Sequence, residues 1–266
     1  MGKSSSVMDK GRAAMDKAAR NMLRFFKRPG CVLRFFKQPG YVGWFGKLPS
    51  AGDFAGTGMT PILKETVHEW MSSGMAALRQ SHPTDWQAAY LVSPVWHFLV
   101  GPGIWDKPAL IGCLAPSVDK VGRYSPLIVL RSFDRCDLPS VLPPESRWLY
   151  RVDMVMRRVI GERISISGLH DLLQQLTEAE EESGRNSTSN ILCDLGIGNT
   201  NANVDASAQK DWFVWPELPE LLEQRSYSSF WWSEPSSVQG MKQIVHNGVP
   251  NENLFCLLMD GGVSNE

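Results

Sequence analysis

Apolar residues recur every three or four positions in three stretches of the chain, which is the spacing of helices with one buried face. The first stretch covers about residues 61–80 and follows Thr60-Pro61, a pair typical of a helix N-terminus. The second covers residues 145–163, and the third covers 169–182 and ends in an acidic run. We therefore predict three helices that each pack one face against a core.

Shorter apolar runs bounded by glycine or proline predict β-strands between and after these helices. Three of them follow one another between the first two helices, which predicts an antiparallel meander with a structured loop at 116–126. The predicted strands are 94–100, 109–115, 127–132, 191–195, 228–232 and 241–245, with a short turn or helix at 86–90, a polar loop at 196–210 and a closing helix or strand at 251–258.

The distribution of charge separates the first 40 residues from the rest. Residues 1–40 carry ten Lys or Arg and two Asp, a net charge of +8, whereas the remainder carries 17 basic and 26 acidic side chains, a net charge of −9. Within this basic segment, residues 23–32 are repeated with few changes as residues 33–42, and a proline in each copy excludes one continuous helix. We interpret 1–40 as a basic, partly repetitive extension and 41–262 as one domain. Such an extension either attracts an anionic surface or folds back on the acidic body.

Length and composition indicate a globular protein. The chain has 266 residues, of which 43% are hydrophobic and 21% are charged, so it can bury a full core. It contains no apolar run of about 18 residues and does not begin like a secretory signal, which predicts a cytoplasmic protein. Its five cysteines are scattered without paired spacing, which argues against a disulfide framework and against a zinc site.

Residues 43–54 form the most distinctive segment, Gly-Trp-Phe-Gly-Lys-Leu-Pro-Ser-Ala-Gly-Asp-Phe. Its three glycines each cost a helix about 1 kcal/mol relative to alanine, and Pro49 removes a backbone donor. We predict a short aromatic strand followed by a tight loop. Two further segments are distinctive: residues 116–126, Pro-Ser-Val-Asp-Lys-Val-Gly-Arg-Tyr-Ser-Pro, between two predicted strands, and residues 229–232, Ser-Phe-Trp-Trp.

In this order, the three segments resemble the conserved motifs of the TagF family, also called ImpM, and the resemblance covers roughly residues 40–258. One difference is Ser125, where the family usually carries phenylalanine. The resemblance implies an α/β (α+β) fold, with a central antiparallel sheet flanked by helices, longin-like or profilin-like. It also implies a cytoplasmic, post-translational repressor of the bacterial type VI secretion system, which acts without enzymatic activity by binding the forkhead-associated scaffold protein.

The candidate partner-binding residues come from the three motifs. An alternative interpretation is structural: Asp119 caps loop amides and Arg123 pairs with a carboxylate such as that of Asp53, which would hold two distant loops together. Adjacent residues of a strand face opposite sides, so one tryptophan of the pair should fill the core while the other approaches the surface. The candidates are Trp44, Lys47, Asp53, Asp119, Arg123, Trp231 and Trp232.

Common catalytic signatures are missing from the sequence. It has no Gly-x-Ser-x-Gly and no His-Glu-x-x-His, and Gly46-Lys47 fails the phosphate-loop pattern because position 41 is tyrosine and position 48 is leucine. Some relatives carry a fused PP2C-type phosphatase, but this chain shows no clustered metal-binding aspartates. We therefore predict no enzyme, no cofactor, no metal ion and no nucleic-acid partner.

Two other functions remain open on sequence grounds. One is a membrane-associated, longin-like adaptor, peripheral at the inner membrane, that recruits secretion components through the basic N-terminal arm with its paired phenylalanines at 25–26 and 35–36. The other is a hydrolase that uses His97 or Asp119, because motif searches do not detect every convergent active site.

Overall fold

A computed structural model describes residues 42–133, 138–177, 215, 217–225, 227–234 and 241–260. Several predictions concern other parts of the chain. The extension 1–40, the strand 191–195, the loop 196–210 and the end of the third helix beyond residue 177 lie outside the described residues.

A seven-stranded sheet forms the centre of the described structure. Its strands are β1 (Val42–Gly46), β2 (Ala55–Thr57), β3 (Trp96–Val100), β4 (Ala109–Ala115), β5 (Leu127–Phe133), β6 (Ser228–Ser233) and β7 (Gln243–Asn247). Their spatial order is β2-β1-β5-β4-β3-β6-β7, and all neighbouring strands are antiparallel. The predicted antiparallel sheet and its central meander β3-β4-β5 are thus confirmed.

Helices cover both faces of this sheet. They are α1 (Pro61–Ser81), α2 (Trp86–Leu91), α3 (Leu138–Gly161), α4 (166–177), α5 (Leu218–Gln224) and α6 (Glu252–Met259). Apolar residues of α1, α2 and α6 pack in one core cluster, and those of α3, α4 and α5 pack in the other. The chain therefore builds an α+β domain of three layers, with a core on each side of the sheet.

The first helix shows how local sequence sets an element. Thr60 Oγ1 accepts a hydrogen bond from the amide of Leu63 (3.2 Å), and Pro61 occupies the first helical position, where no amide partner is needed. The buried side chains recur at helical spacing, as predicted. They are Leu63, Val67, Trp70, Met71, Met75 and Leu78.

Two motifs contain a pair of adjacent aromatic residues, and all four side chains are buried. Trp44 and Trp232 pack in the cluster of α3, α4 and α5, whereas Phe45 and Trp231 pack in the cluster of α1, α2 and α6. Trp231 is 0% exposed and Trp232 is 3% exposed. The expectation that one tryptophan of this pair approaches the surface is wrong, because β6 is covered by helices on both faces.

The strand β2 and the short helix α5 were not predicted, and two predicted helices begin earlier than expected. The strand β2 contains alanine and glycine, which are weak strand formers, and it exists because β1 pairs with it. Helix α3 begins at Leu138 rather than at 145. Helix α4 begins at 166 rather than at 169, because Ser165 Oγ accepts a hydrogen bond from the amide of Gly168 (3.2 Å) and caps it.

Candidate partner-binding surface

The two longer motifs meet at one end of β1. Gly46 ends this strand with φ of +144°, a conformation that favours glycine. A Cβ atom at this position would collide with the carbonyl oxygen of Pro126, the last residue of the second motif. The chain can thus bring the loop after β1 close to the loop between β4 and β5 only with glycine at position 46.

A buried ion pair joins the two loops. Lys47 Nζ lies 2.7 Å from Asp119 Oδ2, and the two side chains are 6% and 0% exposed. Lys47 Nζ also lies 5.0 Å from the centre of the Phe54 ring, close enough for a cation–π contact. Two charges in a buried position need such close partners, because neither is solvated by water.

Asp119 satisfies its remaining lone pairs within its own loop. Its Oδ1 accepts hydrogen bonds from the amides of Val121 (3.0 Å) and Arg123 (2.9 Å), and its Oδ2 accepts one from Arg123 Nε (2.7 Å). The interpretation of Asp119 as a cap of loop amides is thus confirmed. Burial raises the pKa of this carboxyl, but the hydrogen bonds from Lys47, Arg123 and the amides outweigh it, so that the pKa lies well below its usual range.

Arg123 connects the two loops at the surface. Its Nη2 donates a hydrogen bond to the carbonyl oxygen of Gly52 and lies 4.0 Å from Asp53 Oδ1. The amide of Lys120 donates to the carbonyl oxygen of Ala51 (2.8 Å), so the backbones are joined as well. The predicted Arg123–Asp53 contact is therefore present, although Asp119 is the closer partner of Arg123.

Helix α2 holds the loop between β4 and β5 in place through Tyr90. The hydroxyl of Tyr90 donates to the carbonyl oxygen of Ser117 (3.0 Å) and accepts from the amide of the same residue (2.9 Å). Burial raises the pKa of this phenol well above its ordinary value, so it stays protonated. Tyr124 packs edge to face on both Trp86 and Tyr90. These contacts hold the loop in one conformation.

The exposed part of the joined loops is a small surface that we call the two-loop rim. Its most prominent apolar side chain is Val121, which is 66% exposed, and the side chains of Asp53 and Arg123 are 86% and 54% exposed. The rim consists of Gly52, Asp53, Lys120, Val121, Gly122 and Arg123. Sequence reasoning did not select Lys120 or Val121, although both lie at the tip of a recognised motif.

The seven candidate residues divide into two groups in the structure. Asp53 and Arg123 lie at the rim and can touch another molecule there. The other five are buried, so they act on a partner only through the shape that they give to the surface. These five are Trp44, Lys47, Asp119, Trp231 and Trp232, all between 0% and 5% exposed.

A second buried polar cluster lies under α3, and of its residues sequence reasoning named only His97 as a candidate. His97 Nε2 lies 3.3 Å from Asp153 Oδ2, and Arg157 Nε donates to Asp153 Oδ1 (2.5 Å). Burial raises the pKa of Asp153, but the hydrogen bonds from His97 and Arg157 outweigh it and lower the pKa. His97 and Asp153 are each 3% exposed, so in this conformation the imidazole has no access to a substrate. The pairing of His97 with Asp153 was not predicted, because no local pattern in the sequence links the two residues.

Cys113 lies opposite His97 on the neighbouring strand. Its thiol donates to the carbonyl oxygen of Leu149 (3.5 Å), and burial raises its pKa well above the ordinary value. Such a thiol is protonated and unreactive, so the geometry of this Cys, His and Asp set is that of an interior network. Across the described ranges, no three His, Cys, Asp or Glu side chains come together in a way that could hold a metal ion.

The antiparallel sheet with a helical layer on each face defines the class of protein, a three-layer α+β domain. Residues 43–176, half of the chain, match the family of the TagF N-terminal domain, described as type VI secretion system-associated. The chain therefore belongs to the TagF family. Both motifs that build the two-loop rim lie inside the matched residues.

A solved structure has the same fold. The crystal structure of PA0076 from Pseudomonas aeruginosa PAO1 aligns with a TM-score of 0.61 and 24% sequence identity, over 85% of this chain and 96% of that chain. At this identity the likeness establishes the fold alone. Comparison with curated proteins gives no match.

Proposed function

We propose that this TagF-family chain is a non-enzymatic, cytoplasmic, post-translational repressor of the type VI secretion system. In this proposal residues 41–262 are the regulatory domain, and its partner is the forkhead-associated scaffold protein. The two-loop rim supports the proposal most directly, because a buried ion pair and four loop hydrogen bonds around Asp119 and Ala51 hold exposed side chains in a fixed arrangement. A surface fixed in advance loses little conformational entropy on binding.

The rim also has the composition of a small protein interface. The rim combines the exposed apolar side chain of Val121 with the charged side chains of Asp53 and Arg123, and protein interfaces commonly combine apolar and charged contacts. Arginine is enriched among the residues that contribute most to binding energy. The rim therefore offers contacts to a protein surface.

The substitution Val121→Asp is expected to weaken scaffold binding about tenfold or more without unfolding the domain, because it replaces the most exposed apolar side chain of the rim by a charge. Val249→Asp is the matched control, since Val249 is 51% exposed and lies after β7, outside the rim. Pull-down of the purified scaffold protein by the full chain, followed by titration, measures the effect. Equal binding by the two variants would exclude the rim as the interface.

The same pair of variants tests repression in the cell. Deletion of the gene is expected to raise the amount of secreted tube protein in the culture supernatant. Complementation with Val249→Asp should restore repression, whereas complementation with Val121→Asp should not. Unchanged secretion after deletion would contradict the repressor role itself, independently of which surface binds the scaffold.

The charge of residues 1–40 supports a second function, that of a membrane-associated adaptor. A net charge of +8 with paired phenylalanines is suited to anionic lipid headgroups. None of the described helices combines the length and apolar composition that a membrane crossing requires. We expect the full chain to co-sediment with vesicles that contain anionic phosphatidylglycerol and not with neutral phosphatidylcholine vesicles. Co-sedimentation that is unchanged by removal of residues 1–40 would contradict this role for the extension.

A further inference from the structure

The edge strand β2 borders a groove that the two-loop rim does not use. The groove has a volume of about 580 Å³, within the range of about 300 to 1,000 Å³ that is typical of ligand sites. Its walls come from both helical layers, since Lys64 belongs to α1 on one face of the sheet and Ile166 and His170 belong to α4 on the other. The groove thus runs along the edge of the sheet.

β2 is an open edge in the described part of the chain. It is the last strand on its side of the sheet and pairs only with β1, through Thr57, Gly56 and Ala55. The backbone amides and carbonyls on the outer side of such a strand are free to pair with an added strand. An extended peptide is the ligand that satisfies them, by strand addition.

Trp44 lines the same groove and carries a buried donor without a partner in the described part of the chain. Trp44 is 2% exposed, and among the described residues its indole Nε1 has no hydrogen-bond partner. A buried N–H that lacks an acceptor costs free energy in the unbound protein, so an acceptor brought by a ligand is favoured. Trp44 is the second residue of the first motif.

The charge of the groove specifies the ligand further. Its lining includes the side chains of Lys64 and His170 and no carboxylate, although the chain as a whole has a net charge of −1. Both side chains are exposed. Acidic side chains on a peptide would complement them.

We propose that this groove binds an extended, acidic peptide segment of a partner protein, which adds to the sheet as a strand beside β2. The apolar walls of Ile166 and Phe54 receive side chains of the peptide, and the Trp44 indole donates to an oxygen of the ligand. This proposal is independent of which protein binds the two-loop rim.

Selection of random twelve-residue peptides displayed on phage against the full chain tests the proposal. Enriched peptides are expected to carry Asp or Glu and to lack proline at their centre. Fluorescence polarisation with a labelled selected peptide then gives its affinity. The double variant Lys64→Glu/His170→Glu should lower this affinity more than tenfold, whereas Lys107→Glu, which changes an exposed lysine outside the groove, should leave it unchanged.

Two further measurements separate strand addition from simple charge attraction. Methylation of alternate backbone nitrogens of the peptide should abolish binding, because it removes the donors that pair with β2. Trp44→Phe should lower affinity about fivefold, with the melting temperature measured in parallel because Trp44 also packs in the core. The rim variant Val121→Asp should bind the peptide as the wild type does.

Three results would overturn the proposal. One is the failure of selection to enrich any peptide. Another is peptide binding that is unchanged in the Lys64→Glu/His170→Glu variant or unchanged by methylation of the peptide backbone. The last is concentration-dependent self-association through β2, detected by analytical ultracentrifugation and lost in the Lys64→Glu/His170→Glu variant, which would make a second copy of the chain the occupant of the edge.

Discussion

Replacement of Asp119 by alanine is expected to lower the free energy of unfolding by about 3–5 kcal/mol, because it leaves the buried ammonium of Lys47 without its partner. The variant also loses the acceptor of the amides of Val121 and Arg123. Urea unfolding followed by circular dichroism measures the change. Asp53→Ala is the control, since its carboxylate is 86% exposed, and we expect it to change stability by less than about 0.5 kcal/mol.

The pH dependence of this effect has a defined sign. The pKa of Asp119 is lower in the folded chain than in the unfolded chain, where it is about 3.9. Its contribution to stability is therefore fully present above about pH 4 and is lost as the pH falls below that value. The difference in stability between wild type and Asp119→Ala should shrink on acidification. A loss that is the same at every pH would show that the ionised carboxylate does not contribute.

Removal of both charges tests whether the two residues act as a unit. The double variant Lys47→Met/Asp119→Leu leaves no unpaired buried charge, so it should lower the free energy of unfolding by less than the sum of the two single variants.

Scaffold binding by Asp119→Ala separates a structural role from a contact role. If this variant weakens scaffold binding only in proportion to the fraction of unfolded protein, Asp119 acts by supporting the rim. If it abolishes binding while stability is unchanged, Asp119 contacts the partner and the structural role is excluded.

Replacement of Trp231 by alanine is expected to cost about 3–5 kcal/mol of stability, the usual range for removal of a fully buried tryptophan. The ring is 0% exposed and lies 4.9 Å from the Phe98 ring and 5.6 Å from the Trp70 ring, measured between centres. Its Nε1 donates to Ser229 Oγ (2.9 Å). The cavity therefore opens where the sheet packs against α1, and the melting temperature should fall by roughly 10 °C.

Tyr227→Ala is the matched control for this variant. Tyr227 lies just before β6 and is 53% exposed, so its removal should leave the melting temperature nearly unchanged. Differential scanning fluorimetry of the two variants gives the comparison. Loss of scaffold binding by Trp231→Ala at an unchanged melting temperature would identify Trp231 as a contact residue, in contradiction to its burial.

Local patterns in the sequence determined most of the secondary structure. Helix α1 is specified by a threonine cap, a proline at the first position and apolar residues at helical spacing, all within 21 residues. The three strands of the meander are bounded by proline and glycine and pair with their nearest neighbours along the chain. The family was also evident from sequence, because its motifs are continuous segments.

The candidate site depended on contacts that local patterns do not report. Lys47 and Asp119 are 72 positions apart. They meet because β1 pairs with β5, the last strand of the meander, and not with β3, the first. Asp153 and His97 are 56 positions apart and meet between α3 and β3. Alternation along a strand indicates which residues share a face, but it does not indicate whether that face is covered.

The sequence by itself therefore determined α1, most of α3 and α4, the meander and the family, since each depends on the spacing of apolar residues within a short stretch or on one continuous motif. The tertiary structure alone decided that Trp231 and Trp232 are both buried, that Asp119 is an interior cap, and that Asp53, Val121 and Arg123 form the exposed rim. The physical reason is that burial depends on layers brought together from distant segments, and an antiparallel sheet with helices on both faces leaves only its loops and its edge strands open to a partner.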